Sequence, residues 1–313
     1  MVFKKIRRRH VDWRNFLCST PARDYVFQKE EYVSQLDRAA EYIRKADSII
    51  VGAGAGASTA AGIQYGGKRF TDNFGEFIEK YGGYYMTDMY VAGFYPYPSE
   101  EAKWGYWSKH ALMNRFDPPA LPLYTELYDI VKSKEYFVLT TNVDHQFYKA
   151  GFDEKRIFAT QGDYGKIQCQ KACHQKTYDA KDLFRKMDEA RKDCLIPSEL
   201  VPKCPVCGGN MAMNLRCDNY FVEDEAWHEA ADRYAGFLEQ NKDKKVVLLE
   251  LGVGFNTPII IRFPFEKMVR ENPSYSLIRL NMDEAVVPES FGERAIGIGG
   301  DMAKVITDIR GLV

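Results

Sequence analysis

"SIIVGAGAGASTAAGI", Ser48 to Ile63, decides how the rest of the chain is read. A short apolar run ends in glycines and alanines, and a helix can open beyond them. At such a junction glycines let the backbone approach a phosphate, while a helix N-terminus offers free N–H groups and positive potential. The G-x-G-x-x-G spacing is not met cleanly, because Gly52, Gly54 and Gly56 alternate with alanines. Two uses stay open: a diphosphate site, or a tight turn that packs a helix closely on a sheet.

Upstream, "KEEYVSQLDRAAEYIRKA" (29–46) sets Tyr32, Val33, Leu36, Ala39, Ala40 and Ile43 on one face at helical spacing. Downstream, "KEYFVLTTN", "KKVVLLELGVG" and "YSLIRLN" repeat the pattern of a buried strand ending in small or polar residues. Helical stretches such as "LPLYTELYDIVKSK" and the terminal "DMAKVITDIRGLV" lie between and after them. Strands alternating with helices predict a parallel α/β sheet, whose ligands bind beyond the carboxyl ends of the strands.

Two regions break the alternation. Residues 64–115 are rich in Gly, Tyr and Trp, and 162–217 hold six of the seven cysteines. The expected organisation is an N-terminal helical arm (1–45), a Rossmann-like sheet domain (46–161 and 218–313), a helical insertion (64–115) and a cysteine-rich module (162–217).

The bulk numbers set limits. At 313 residues, 45% hydrophobic and 28% charged, the chain can bury a sizeable core. A net charge of -1 provides no global field toward nucleic acid or anionic membrane. The basic "KKIRRRH" near the start suits a solvated arm better than a docking signal. No apolar run reaches the roughly 18 residues of a spanning helix, and the charged start lacks a hydrophobic signal core. A cytoplasmic protein without nucleic-acid or membrane partners is expected.

In a reducing compartment, paired cysteines suggest metal before disulfides. Cys169 and Cys173 are spaced C-x₃-C; Cys204 and Cys207 are C-x₂-C, followed by Gly-Gly. Four thiolates in two such pairs match a structural zinc ribbon. The first pair is one residue wider than usual, so an unmetallated module or a disulfide stays open, and His174, Cys194 and Cys217 could substitute as ligands.

"VLTTNVDHQF" is a buried strand ending in Thr140, Thr141, Asn142 and Asp144. Asn and Asp at this spacing can hydrogen-bond a ribose or a carboxamide, or simply build an Asx turn. The next turn, "RIFATQGD", carries Gln161.

The order of these motifs resembles the sirtuin family over about residues 35–313. "GAGASTAAGI" (Gly54–Ile63) matches its glycine motif, "TNVD" (Thr141–Asp144) its Q-N-I-D, and Gly252-Val253-Gly254 its late G-T-S. The resemblance implies a Rossmann-like parallel sheet with a small inserted zinc-ribbon and helical domain, and NAD⁺ as co-substrate. It assigns the diphosphate to Gly54, Ala55, Gly56, Ser58 and Thr59. The nicotinamide ribose and carboxamide fall to Asn142 and Asp144, with Thr141 beside them. The adenosine half falls to Gly252, Val253, Gly254, Asn281 and Met282, with Gly300, Asp301 and Met302 on the adenine side. Cys169, Cys173, Cys204 and Cys207 would hold structural Zn²⁺.

Three departures matter. The P-D-F-R tail becomes "QYGGKRF", where Arg69 and Phe70 replace the Arg and Phe only loosely. The Gln of Q-N-x-D is Thr141. The catalytic histidine is Gln161, followed by Gly162 and Asp163. Deacylation needs a base near neutral pKa, and an amide cannot accept the proton. Nicotinamide cleavage needs only a bound, oriented NAD⁺. This combination resembles the macrodomain-linked microbial sirtuins, which act as protein ADP-ribosyltransferases on a lipoylated carrier similar to the glycine-cleavage H protein. It implies Asn142 and Gln161 as the catalytic pair, assisted by Asp144, a protein acceptor, and a separately encoded macrodomain hydrolase as partner. Asp163 could assist or be a turn residue. Deacylase, NAD hydrolase and a non-catalytic NAD or ADP-ribose binding module remain as alternatives.

Overall fold

A computed structural model describes residues 20–313 except Asn256, so "KKIRRRH" lies outside the described residues. In chain order the strands are β1 (Tyr25–Val26), β2 (Ser48–Ala53), β3 (Glu135–Thr140), β4 (Ile157–Ala159), β5 (Gly162–Cys169) and β6 (Thr177–Asp179). β7 (Met211–Leu215), β8 (Val246–Leu251), β9 (Tyr275–Asn281), β10 (Val287–Pro288) and β11 (Ala295–Gly299) follow. Six of them form a parallel sheet in the order β11-β9-β8-β2-β3-β4. A second, antiparallel sheet has the order β6-β5-β7, and β1 pairs with β10.

Strand side chains alternate between two cores, as a period of two requires. Ile49, Val51 and Ala53 of β2, with Val247, Leu249 and Leu251 of β8, face the helices Tyr32–Lys45, Pro122–Val131 and Met302–Arg310. Ile50, Val246 and Leu248 face the helices Glu225–Asn241 and Arg262–Glu271. Leu36, Ala39, Ala40 and Ile43 are buried as the sequence suggests, and they pack on the sheet itself. Val33 is instead 67% exposed. At about 100° per residue it falls off the stripe that Leu36, Ala39 and Ile43 define.

The two irregular regions share one core. Phe70, Phe74, Phe77, Trp104 and Tyr106 of the first pack with Tyr164, Phe184, Met187 and Met213 of the second. They form one small helical module built on the β6-β5-β7 sheet and standing over the carboxyl ends of the large sheet. Among the described residues, no helix is long and apolar enough to cross a membrane.

Beneath β8 and β9 lies a buried charge network. The Arg279 guanidinium donates to Glu250 at 2.7 and 2.8 Å and to Glu266 at 2.9 Å. Tyr25 Oη also donates to Glu266, at 2.7 Å. Arg262 donates to Val253 O at 2.9 Å. All four charged side chains are fully buried. Removing one partner strands the others, so Glu250→Ala is expected to lower unfolding free energy by about 3–5 kcal/mol. Chemical denaturation checks this; an unchanged midpoint contradicts it.

Candidate active site

The carboxyl edge of the parallel sheet gathers the ends of β2, β3, β4, β8, β9 and β11. There the glycine loop presses against the turn after β8. Gly54 N–H donates to Leu251 O at 2.9 Å, and Gly56 N–H to Gly252 O at 3.0 Å. A Cβ on Gly56 would lie 2.7 Å from Gly252 Cα, and one on Gly252, whose φ is +59°, would lie 2.5 Å from Ala57 N. Gly54 and Gly56 therefore act in packing, and the residues turned toward open space are Ala55, Ser58 and Thr59.

That space is a cavity of about 520 Å³ between the sheet and the small module. Ala55, Ser58, Thr59 and Ile63 line it on the glycine-loop side; Thr141, Asn142, Val143 and Asp144 come from the end of β3. Gln161, Tyr164, Leu215, Arg216 and Cys217 line it from the module's sheet, Tyr65, Asp88, Tyr90 and Phe94 from its helical part, and Thr257 from the turn after β8.

The strand end is held by its own hydroxyls and amides. Thr140 Oγ1 and Thr141 N–H both donate to Ala53 O at 3.0 Å. Thr140 Oγ1 in turn accepts from Asn142 N–H at 3.0 Å. The Asn142 amide donates to Gly54 O at 3.0 Å and toward Tyr124 Oη at 3.4 Å. Ser58 donates to Asp144 Oδ2 and lies 3.1 Å from Tyr124 Oη. Burial raises the Asp144 carboxyl above the usual carboxylate range, and hydrogen bonds from Ser58 and from Gln146 N–H oppose that shift without cancelling it.

Gln161 is fixed by its backbone. Its carbonyl accepts from Arg216 N–H at 3.1 Å, and the following Gly162 has φ +98° with Asn214 O where a Cβ would stand. Its side-chain Oε1 is buried and has no hydrogen-bond partner. A buried polar atom without a partner costs free energy comparable to a lost hydrogen bond. Gln161 as a residue lines a cavity that a polyhydroxylated, amide-bearing molecule such as NAD⁺ fits chemically: a side-chain amide suits a ribose hydroxyl.

Among the described residues, no histidine lines the cavity. Its two carboxylates are committed. Asp88 accepts from Tyr90 N–H at 2.8 Å and Val91 N–H at 2.9 Å. Asp144 accepts from Ser58 and Gln146. Asp163 lies outside the cavity and is held by Arg115 and His145.

Other expected site residues lie elsewhere. Arg69 anchors the module's helices, donating to Asn114 Oδ1 at 2.8 Å and Gln64 O at 2.9 Å, and Phe70 stacks on Phe74 in the module core. Neither lines the cavity; Tyr65 of the same "QYGGKRF" stretch does. Gly252, Val253, Gly254, Asn281 and Met282 sit at the same sheet edge beyond the cavity. Asn281 Oδ1 accepts from Asp283 N–H at 3.2 Å and Glu284 N–H at 3.1 Å, so its side chain shapes its own loop. Asp301 caps the last helix, and Met302 is buried in the main core. The aromatic wall of Tyr65, Tyr90, Phe94 and Tyr164 was missed from sequence; its only signal was the tyrosine-rich composition of the first insertion.

The four cysteines converge. Their sulfurs all lie within 4.8 Å of one another, with Cys169 to Cys207 at 3.8 Å and Cys173 to Cys204 at 3.6 Å. A tetrahedral zinc with bonds of about 2.3 Å separates its sulfurs by about 3.8 Å, so the set fits the ion. Cys194 is buried and Cys217 lines the cavity, away from this cluster. His174 lies beside it and hydrogen-bonds Tyr178 at 2.8 Å.

Comparison with known proteins extends this geometry. A protein ADP-ribosyltransferase of Staphylococcus aureus is 39% identical over 279 residues, covering 89% of this chain and 88% of that protein. A probable bifunctional ADP-ribose hydrolase/ADP-ribosyltransferase of Fusarium oxysporum f. sp. cubense is 32% identical over 286 residues. That match takes in 87% of this chain but 47% of the fungal protein, so the chain spans about half its length. No protein-family model matches the chain. Among solved structures, a Sir2 homologue in complex with NAD superposes with a TM-score of 0.57 over 94% of this chain and 100% of its own, at 15% identity. A second Sir2 enzyme gives 0.54 over 90% and 99%, at 17% identity. The fold is thus that of the Sir2 sirtuins, and the chain belongs to the sirtuin-like ADP-ribosyltransferases, enzymes that use NAD.

Proposed function

We propose that the enzyme transfers ADP-ribose from NAD⁺ to a side chain of a protein acceptor, with Asn142 and Gln161 as the catalytic pair. The observation that carries this reading is the buried Gln161 Oε1, without a partner, in the wall of the cavity that Asn142 and Asp144 also line. In the reaction the bond between nicotinamide and ribose C1′ breaks, the acceptor's nucleophile bonds to C1′, nicotinamide leaves, and the acceptor's proton passes to solvent.

Each residue then has a positional task. Gln161 holds a ribose hydroxyl without taking its proton. Asn142, fixed by Gly54 O and by Thr140, orients the nicotinamide end. Asp144, with Ser58 against it, faces the carboxamide. Ala55, Ser58 and Thr59 meet the diphosphate. The adenosine half follows the sheet edge past Gly252 to Asn281. The four cysteines hold one structural Zn²⁺, which ties β5 to the turn before β7.

Deacylation is disfavoured because, among the described residues, an amide stands at position 161 and the cavity's two carboxylates are engaged by their own neighbours. The acceptor we propose is a lipoylated carrier protein, with a macrodomain hydrolase reversing the mark; both assignments rest on likeness to the macrodomain-linked sirtuins. The fungal relative is named as both hydrolase and transferase.

Four outcomes are expected. With labelled NAD⁺ and lipoylated carrier, mass analysis should find ADP-ribose on the carrier. Asn142→Ala should abolish the transfer, and Gln161→Ala should slow it by about 10²-fold; wild-type rates in either variant refute the assignment. Gln161→His should not confer lysine deacetylation, because Thr141 and the Tyr65 loop also differ from the deacylase pattern; robust deacetylation in the unsubstituted enzyme overturns the reading. Metal analysis should find one zinc per chain, and Cys207→Ser should expose the small module to protease while the sheet domain stays folded.

A further inference from the structure

Asp163 stands two residues after Gln161 and His145 three after Asn142, and the two side chains meet behind the cavity wall. His145 Nδ1 lies 2.8 Å from Asp163 Oδ2, and since the carboxylate only accepts, Nδ1 carries the proton. Asp163 Oδ1 accepts from Arg115 Nε at 3.0 Å and from Gly165 N–H at 2.6 Å. All three side chains are mostly buried, at 15%, 16% and 24% exposure for Arg115, Asp163 and His145. Burial pushes the Asp163 carboxyl up, but the His145 hydrogen bond and the Arg115 charge more than offset it and hold the group at about 2.

The surrounding backbone tells the same story. His145 is held at φ +67°, a conformation that a residue with a Cβ adopts at a cost. Its ring stacks on Tyr148 with centroids 4.0 Å apart. Tyr164 N–H, next to Asp163, donates to Val143 O at 3.0 Å, between Asn142 and Asp144. Arg115 belongs to a π-helical turn, Leu112–Phe116, that follows directly on the helix Glu100–Ala111. Such turns recur at functional sites. Three segments therefore converge on one carboxylate: the start of β5 directly after Gln161, the loop that carries Asn142, and the helical module.

We infer that Arg115, Asp163 and His145 form a clamp that sets the register of Gln161 against Asn142, making Asp163 a positioning residue for the transfer reaction. The inference rests on the reading that Asn142 and Gln161 carry that reaction. Where no base is present, catalysis depends on holding the breaking bond between fixed amides, and a displacement of about 1 Å can cost about 10²-fold. Asp163 and His145 supply that fixity from outside the cavity, without touching NAD⁺.

The test is a double-mutant cycle read by nicotinamide release with acceptor present. Asp163→Asn keeps an acceptor for the Gly165 N–H and removes the charge. His145→Asn removes the imidazole but keeps a residue that tolerates positive φ. Each is expected to lower kcat about 10- to 100-fold while KM for NAD⁺ moves less than about threefold. Arg115→Lys should retain more activity than Arg115→Ala. In a Gln161→Ala background, Asp163→Asn and His145→Asn should change the residual rate by less than about threefold, because register matters only when both amides are present. Full additivity in that background, or unchanged kcat in either single variant, overturns the clamp. If Asp163→Asn does not fold, His145→Asn decides alone. A Gln161→Ala enzyme with wild-type rate would instead sink the catalytic pair, and the single variant shows this directly.

Discussion

Backbone meets backbone at the carboxyl edge of the sheet, and the site is built around that contact. Gly54 and Gly56 lie so close to Gly252 that no side chain fits between the two turns. The contact brings the β2 turn and the β8 turn to one level, and Asn142 then hangs from Gly54 O. Ser58, one helical turn further on, reaches Asp144. Asn142 is thus placed by a hydrogen bond to backbone already fixed by glycine packing, and Ser58 by the helix that opens there. The loop's two possible uses turn out to be divided within it: glycines pack, and Ala55, Ser58 and Thr59 face the cavity.

The chemistry follows from what this edge lacks. An imidazole at position 161 would accept a proton near neutral pH; a carboxamide accepts only a hydrogen bond. The neighbouring carboxylates do not compensate. Asp88 is spent on a helix N-terminus, Asp144 on Ser58 and Gln146, and Asp163 on His145 and Arg115. Acid groups are present, yet each is already engaged as a hydrogen-bond acceptor by its own neighbours. The site is therefore organised for holding and orienting, which suits breaking a bond to an already cationic leaving group.

Much of this was legible from sequence because it is local. Apolar runs ending in small or polar residues gave the strands, the cysteine spacing gave a cluster whose sulfurs do converge, and Thr141–Asp144 stands at a strand end beside the cavity. What was not legible is tertiary. Arg69 and Phe70 match a motif in kind, but the rebuilt loop turns them into the module and puts Tyr65 in the cavity. Glu250 and Arg279 sit in strands that read as apolar runs; only their pairing across adjacent strands makes them compatible with burial. Asp163 looked like a turn residue because its partners, Arg115 and His145, come from other segments.

The small module is assembled from two stretches of chain that are not contiguous, and the parallel sheet is similarly discontinuous. Central strand β2 pairs on one side with β3, but on the other with β8, Ser48 against Val246. As the chain leaves the ribosome, one edge of β2 stays without its neighbour until most of the protein has been made. During that interval β2, every residue of which is buried in the folded protein, presents an open edge of the kind that recruits other chains. Long-range pairing of this sort also slows folding. The topology that gathers these strand ends at one edge thus leaves the nascent chain with an unpaired central strand until residues 246–251 have been made.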